Sequence, residues 1–320
     1  MEYLPFFLVI ICIFSLIFNY ITLSSNSNAM QIVNKMGIGY NLGNSFDSYD
    51  RLKEIKNPEE QITLLGNPFP TKKMIKNIKK YGFKTIRFPI TWINFIDEYG
   101  NINLEWMLRI KEVVDWIIEN NMYCIINLYH DGDVGNWLYE GLKVINKYIN
   151  IWTQIAKEFE DYDEYLIFES MNAPDYDYST LLNITQTFVY TIRNSGGRNK
   201  ERLLIISGPY AHLNYAYSSE YKIPTDPYNK LALSFHYYIP ELFTTQSYED
   251  SWFGLEYWGS NGDYNELITN FESMKKSFVD KGIPIIIGEI GVLTNGEKNI
   301  SSIIEYLYAV FSISVEYNDI

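Results

Sequence analysis

Short apolar runs alternate with amphipathic stretches along almost the whole chain, and this rhythm narrows the possible folds more than any other feature. The runs are residues 37–42, 85–89, 123–128, 165–171, 202–207, 230–235 and 284–287. Between them residues 71–81, 104–120, 140–159, 179–194 and 264–280 carry apolar side chains at three and four spacing, the mark of helices with one buried face. Strands separated by helices form a parallel sheet, because a parallel pair needs a crossover. There are seven such units, and a chain of 320 residues could hold one (β/α)8 barrel, which takes ~250 residues. A hydrophobic content of 47% is ample for its core. One more helical pattern, 303–315, is followed only by Tyr317-Asn318-Asp319-Ile320, so the expectation is a barrel truncated before its eighth strand. There is no linker, low-complexity tract or short internal repeat; residues 30–320 read as one domain.

Residues ahead of it read differently. Phe6 to Phe18 is apolar except for Ser15, extends to about Leu23, and gives way to the small polar stretch Ser24 to Ala29. This suits an export segment over residues 1–29 and a secreted protein, although Glu2 stands where a positive charge is usual. An uncleaved anchor over residues 5–23 is the alternative, and a membrane contact is expected only in that case. Cys12 lies in this segment and Cys124 in a predicted buried strand, so no disulfide is expected within the domain. The triplets beginning at Asn183 and Asn299 are compatible with a eukaryotic secretory route.

A net charge of −13 argues against a nucleic acid or an anionic membrane as partner, since such interfaces are built from clustered Lys and Arg. A neutral substrate fits better. Aromatic residues make up 17%, including 28 Tyr, and suit stacking on sugar rings, with most of them serving the core. Trp92, Trp137, Trp252 and Trp258 fall in predicted loops or near strand ends and are the stacking candidates, whereas Trp106, Trp116 and Trp152 fall within helices and read as packing.

In a (β/α)8 barrel the strand C-termini open on one face, where chemistry collects. The polar residues there are Asn41 and Asn44, Arg87, His130 with Asp131, Asn172, His236 with Tyr238, and Glu289. Arg87 is a cation within an apolar strand, where burial is costly without a partner; a carboxylate such as Glu289 would supply one, in a catalytic or a purely structural pair. His236 is placed to donate to the same carboxylate or to a sugar hydroxyl. The three histidines show no metal-ligand spacing and no Gly-rich phosphate loop follows any strand, so neither metal nor cofactor is expected.

Several stretches resemble glycoside hydrolase family 5, especially its secreted endoglucanases: Asn41-Leu42-Gly43-Asn44, Gly82 to Pro89, Asn127 to Gly132, Leu166 to Pro174, His236-Tyr237-Tyr238 and Gly282 to Glu289, in order across about residues 31–316. The resemblance implies a barrel that cleaves β-1,4-linked glucans with retention. It makes Glu289 the nucleophile and Arg87 its companion, with Asn172 preceding the acid/base, His236 and Tyr238 steadying the site, and His130 one of a His-His pair. Asn44 joins these as a substrate-binding or supporting residue. The partner it implies is a β-glucan polysaccharide or oligosaccharide.

Four departures stand against this pattern. Ala173 occupies the acid/base position, Tyr129 that of the first histidine, Leu65 that of a loop tryptophan, and the eighth strand is not found. Retaining hydrolysis uses two carboxyl groups, and loss of general acid help alone forfeits ~10²–10⁴-fold. Glu169 is four residues earlier, ~13 Å deeper along its strand, and reads as a buried structural acid. Asp175 and Asp177 follow on the loop as possible substitutes. The chain thus reads as an impaired β-glucan hydrolase or as a carbohydrate-binding protein without catalysis; a membrane-anchored surface protein is a third reading.

Overall fold

The structure, a computed structural model, describes residues 28–246, 255–294 and 298–317. The apolar run 6–23, Cys12, Trp252 and residues 318–320 lie outside the described residues. The described residues form seven parallel strands paired in sequence order, β1 Gly39–Asn41, β2 Thr85–Phe88, β3 Tyr123–Ile126, β4 Leu166–Glu169, β5 Leu204–Ser207, β6 Leu231–Tyr237 and β7 Ile285–Ile290, curled into a nearly closed barrel. Each expected run holds its strand. After α1 Asn28–Met36, the crossover helices are α2 Lys72–Lys80, α3 Leu104–Glu119, α4 Ile145–Glu158, α5 Tyr178–Asn194 and α6 Asn261–Ser277, with α7 Ile300–Glu316 following β7.

Alternation along each strand sorts the side chains into two layers. Ile86, Phe88, Cys124, Ile126, Leu166 and Phe168 face outward and pack against Ile110, Val113, Ile117, Ile151, Ile155 and Phe188 of the helices. Tyr123, Ile125, Ile167, Ile205 and Ala232 face the barrel interior, where they meet Ala29, Ile32, Val33 and Met36 of α1. That helix, whose apolar positions recur at three and four spacing, closes the floor of the barrel, and Thr85 Oγ1 fastens it by donating to the Met36 carbonyl at 2.7 Å. Ala29, one residue ahead of the expected domain start, is fully buried in the floor.

Two expectations shift. The helix expected over 140–159 divides at Val144 into a 3-10 segment, Trp137–Val144, kinked at Gly141 with a positive φ of +61°, and α4. Strands β6 and β7 run past residues 235 and 287, and a bulge shifts their register there. Phe235 pairs with Ile287 but His236 pairs with Glu289, leaving Gly288 as the extra residue. A bulge resets the in-and-out alternation. Without it Glu289 would turn to the helix side with Ile287; with it Glu289 faces the barrel mouth. Glycine is required at the extra position, since a Cβ there would stand 2.4 Å from Ser234 Oγ.

Candidate active site

Arg87, third residue of β2, points into the barrel and organises the mouth. Its Nε donates to Glu169 Oε2 at 2.8 Å, its Nη1 to Glu289 Oε1 at 2.9 Å and to Asn41 Oδ1 at 3.3 Å, and its Nη2 to Asn172 Oδ1 at 2.8 Å. One guanidinium thus joins β1, β2, β4 and β7, using the rigid fork that lysine lacks. Burial alone would lower its pKa, but Glu169 and Glu289 outweigh that and hold it firmly protonated. Glu169 is buried, its second donor being Asn127 Nδ2 at 2.8 Å.

Glu289 receives a donor on every side. Oε1 accepts from Arg87 and from Tyr129 OH at 3.0 Å; Oε2 accepts from Tyr238 OH at 3.2 Å and lies 3.5 Å from His236 Nδ1. Burial pushes the Glu289 carboxyl up, yet the charges and donors around it outweigh burial and hold it below the usual range, so it is ionised at neutral pH. The Asn41 side chain completes the ring by donating to the Gly288 carbonyl at 3.0 Å, linking β1 to β7.

His236 is held neutral. Its burial lowers the pKa to about 4 against the pull of Glu289. The unfolded chain therefore binds a proton that the folded one does not, between roughly pH 6.5 and 4. Folded-state stability is full above that window and falls as pH drops through it, by on the order of 3 kcal/mol from this residue. Urea unfolding at pH 6.5 and 4.5 tests this: acidification costs the His236→Asn variant less than it costs the native protein, and equal losses would refute the assignment.

The loop after β4 carries Asn172 and Ala173 to the same end of the barrel. Asn172 is fixed by Arg87 and by its own N–H donating to the Leu128 carbonyl at 2.9 Å, so residue 173 is held at the mouth, and its side chain is a methyl group. The two acids that follow on this loop have partners of their own. Asp177 caps α5, accepting from the Ser179 and Thr180 amides at 3.0 Å, and Asp175 accepts from the Tyr210 hydroxyl.

The remaining expected residues divide. His130 stands aside from Glu289, its Nδ1 2.6 Å from Asp133 Oδ2 and its ring packed on Tyr129. Asn44 engages through its backbone, with φ of +58°, its N–H on Asp47 Oδ2 at 3.0 Å and its carbonyl accepting from Asn67. Trp92 and Trp258 are corrected from stacking surfaces to core. Trp92 is fully buried with its indole N–H on the Asn127 carbonyl, and Trp258 packs on Tyr264 and Tyr306. Trp137 is half-buried and donates to Asp131 Oδ1 at 2.7 Å. Asp131 itself is buried, which pushes its carboxyl up to about 6 despite that bond and the Trp92 amide. Asn127 and Tyr129 were given no role by the sequence, Tyr129 entering only as a departure from a histidine; both follow β3, where polar groups lie at the mouth.

Comparison with known proteins places these features. The family model described as cellulase, glycosyl hydrolase family 5, matches residues 46–317. Endoglucanase A of Clostridium longisporum is 34% identical over 302 residues, 88% of this chain and 57% of that protein's length. Among solved structures, a GH5-4 broad specificity endoglucanase from an uncultured bovine rumen ciliate is 50% identical with a TM-score of 0.89, covering 91% of this chain and 87% of that one. A GH5 family lichenase from a Caldicellulosiruptor species is 30% identical with a TM-score of 0.85, covering 92% and 85%; a mutant form of it has been solved with cellotetraose.

Proposed function

The chain belongs to the cellulase family, glycosyl hydrolase family 5, and from that premise we propose that its barrel mouth binds a β-1,4-linked glucan and that Glu289 attacks the anomeric carbon. The product of that step is a glycosyl ester formed with inversion, and its breakdown by a second displacement gives net retention. The observation that carries this reading is the Glu289 carboxylate, ionised at the mouth and held by Arg87, Tyr129 and Tyr238. Endoglucanase relatives and a relative solved with cellotetraose support the substrate class.

Chemistry at position 173 sets the rate. As the glycosidic C–O bond breaks, its electron pair goes to the leaving oxygen, which needs a proton unless it is stable as an anion. The methyl group of Ala173 supplies none. Water attacking the ester likewise finds no base there, so both steps on a natural glucan are slow. Carbohydrate binding without catalysis is the second reading, favoured by the engagement of Asp175 and Asp177 elsewhere. On either reading the apolar run 6–23 would deliver the domain out of the cell.

The test is turnover of 2,4-dinitrophenyl β-cellobioside with and without azide. Its leaving group needs no proton, and azide needs no base. Azide-dependent turnover yielding the β-configured cellobiosyl azide supports the disabled hydrolase. Folded protein that neither releases dinitrophenolate nor forms an ester on Glu289 would overturn it and leave binding as the function.

A further inference from the structure

The donors on Glu289 are unequally shared. Oε1 accepts two firm hydrogen bonds, from Arg87 at 2.9 Å and Tyr129 at 3.0 Å, whereas Oε2 has Tyr238 at 3.2 Å and His236 only at 3.5 Å. The less engaged oxygen is the freer one to attack. We propose that Tyr129 is a positioning residue that reserves Oε1 as the carbonyl oxygen of the glycosyl ester, leaves Oε2 to bond the sugar, and makes Glu289 the better leaving group on which ester breakdown depends. This rests on the ester-forming reading above.

The two steps respond oppositely to such a donor. In the first, Oε2 forms a bond to the anomeric carbon while the glycosidic bond breaks, and the carboxylate gives up its charge. Donors that stabilise the charge retard this step. In the second, the bond between the anomeric carbon and Oε2 breaks, its electron pair returns to the carboxylate, and the acceptor forms the new bond. With azide no proton moves; with water the released proton goes to solvent. Charge reappearing on the carboxylate is met on Oε1 by Arg87 and Tyr129, already in place, as preformed donors meet an oxyanion. A hydrolase with a base at position 173 can draw on that base in the second step. This chain has Ala173 there, so the leaving ability of Glu289 carries more of the rate.

Tyr129 is built to donate. Its phenol is pushed up by burial and by the neighbouring Glu289, so it keeps its proton at any working pH. Its ring is fixed edge-on to His130 at 4.7 Å and lies 5.6 Å from the Arg87 guanidinium, contacts that a phenylalanine retains.

The experiment is rapid-mixing kinetics of full-length native protein and the Tyr129→Phe variant with 2,4-dinitrophenyl β-cellobioside. The variant is expected to release its first equivalent of dinitrophenolate at least as fast as native protein. Its steady-state rate in water should fall about tenfold, the usual effect of losing one hydrogen bond to a charged group. KM falls with kcat, and the intact mass shows the cellobiosyl ester accumulating. Unchanged ester breakdown in folded variant, or an equal fall in both phases, would overturn the role of Tyr129 while leaving the proposed function intact. Absence of both burst and ester in native protein would instead sink the proposed function, and this inference with it.

Discussion

Ala173→Glu is expected to raise hydrolysis of an unactivated β-glucan by about 10²–10⁴-fold, the usual worth of one general acid. The expectation rests on how residue 173 is held rather than on its identity. Asn172 is tied to Arg87 by its side chain and to the Leu128 carbonyl by its amide, and Arg87 is tied to Glu289, so the backbone at position 173 is in fixed relation to the nucleophile. A glutamate there would hang over the same mouth, at the ~5–5.5 Å carboxyl separation that retaining chemistry uses. Reducing ends released from barley β-glucan measure the gain. Two further signs separate restored acid catalysis from a general improvement: the pH profile acquires a falling alkaline limb as the new acid ionises, and the first phase with the dinitrophenyl substrate barely changes. A folded variant with no gain on glucan would mean that the mouth is misaligned beyond residue 173.

Arg87→Met is expected to destabilise the fold by about 3–5 kcal/mol, the range for removing one partner from a buried ion pair. The side chain of Glu169 is 1% exposed and would keep only Asn127 as donor, while Glu289 would lose the cation on Oε1. Methionine fills much of the same volume, so the loss reports charge more than a cavity. Urea unfolding at neutral pH measures it. Adding Glu169→Gln to Arg87→Met removes the stranded charge and should return part of the loss, a coupling that independent sites would not show. The variant's deficit should also shrink on acidification, because its unpaired carboxylates can then take up protons. A deficit below about 1 kcal/mol would place Arg87 among exposed ion pairs in effect, contrary to its burial.

Much of this architecture was legible because it follows from local periodicity. Apolar runs located all seven strands, and the cost of burying Arg87 pointed to a carboxylate partner before any geometry was known. What escaped depends on contacts between distant segments. The Glu169 bond to Arg87 Nε requires the register of β2, β3 and β4. The bulge that aims Glu289 leaves no mark in the sequence beyond Gly288, one glycine among many. Helix α1 was hidden because its apolar positions, Ala29, Ile32, Val33 and Met36, begin only a few residues after the apolar run 6–23. Trp92 and Trp258 misled for the opposite reason: position near a strand end suggests a surface, but each ring has core neighbours, and the indole N–H of Trp92 finds a backbone carbonyl. Tyr129 was noticed only as a departure from a histidine, and its hydroxyl acquires meaning once the carboxylate of Glu289 is seen 3.0 Å away.

The helix that seals the floor also fixes a direction. Because Ala29 to Met36 lie against the interior residues at the end of the barrel away from Glu289, anything joined ahead of Asn28 is joined at the pole opposite the mouth. Were that segment held in a lipid bilayer or spliced to a larger assembly, the holding surface would lie behind the barrel. The open end that carries Glu289 would then face away from that surface.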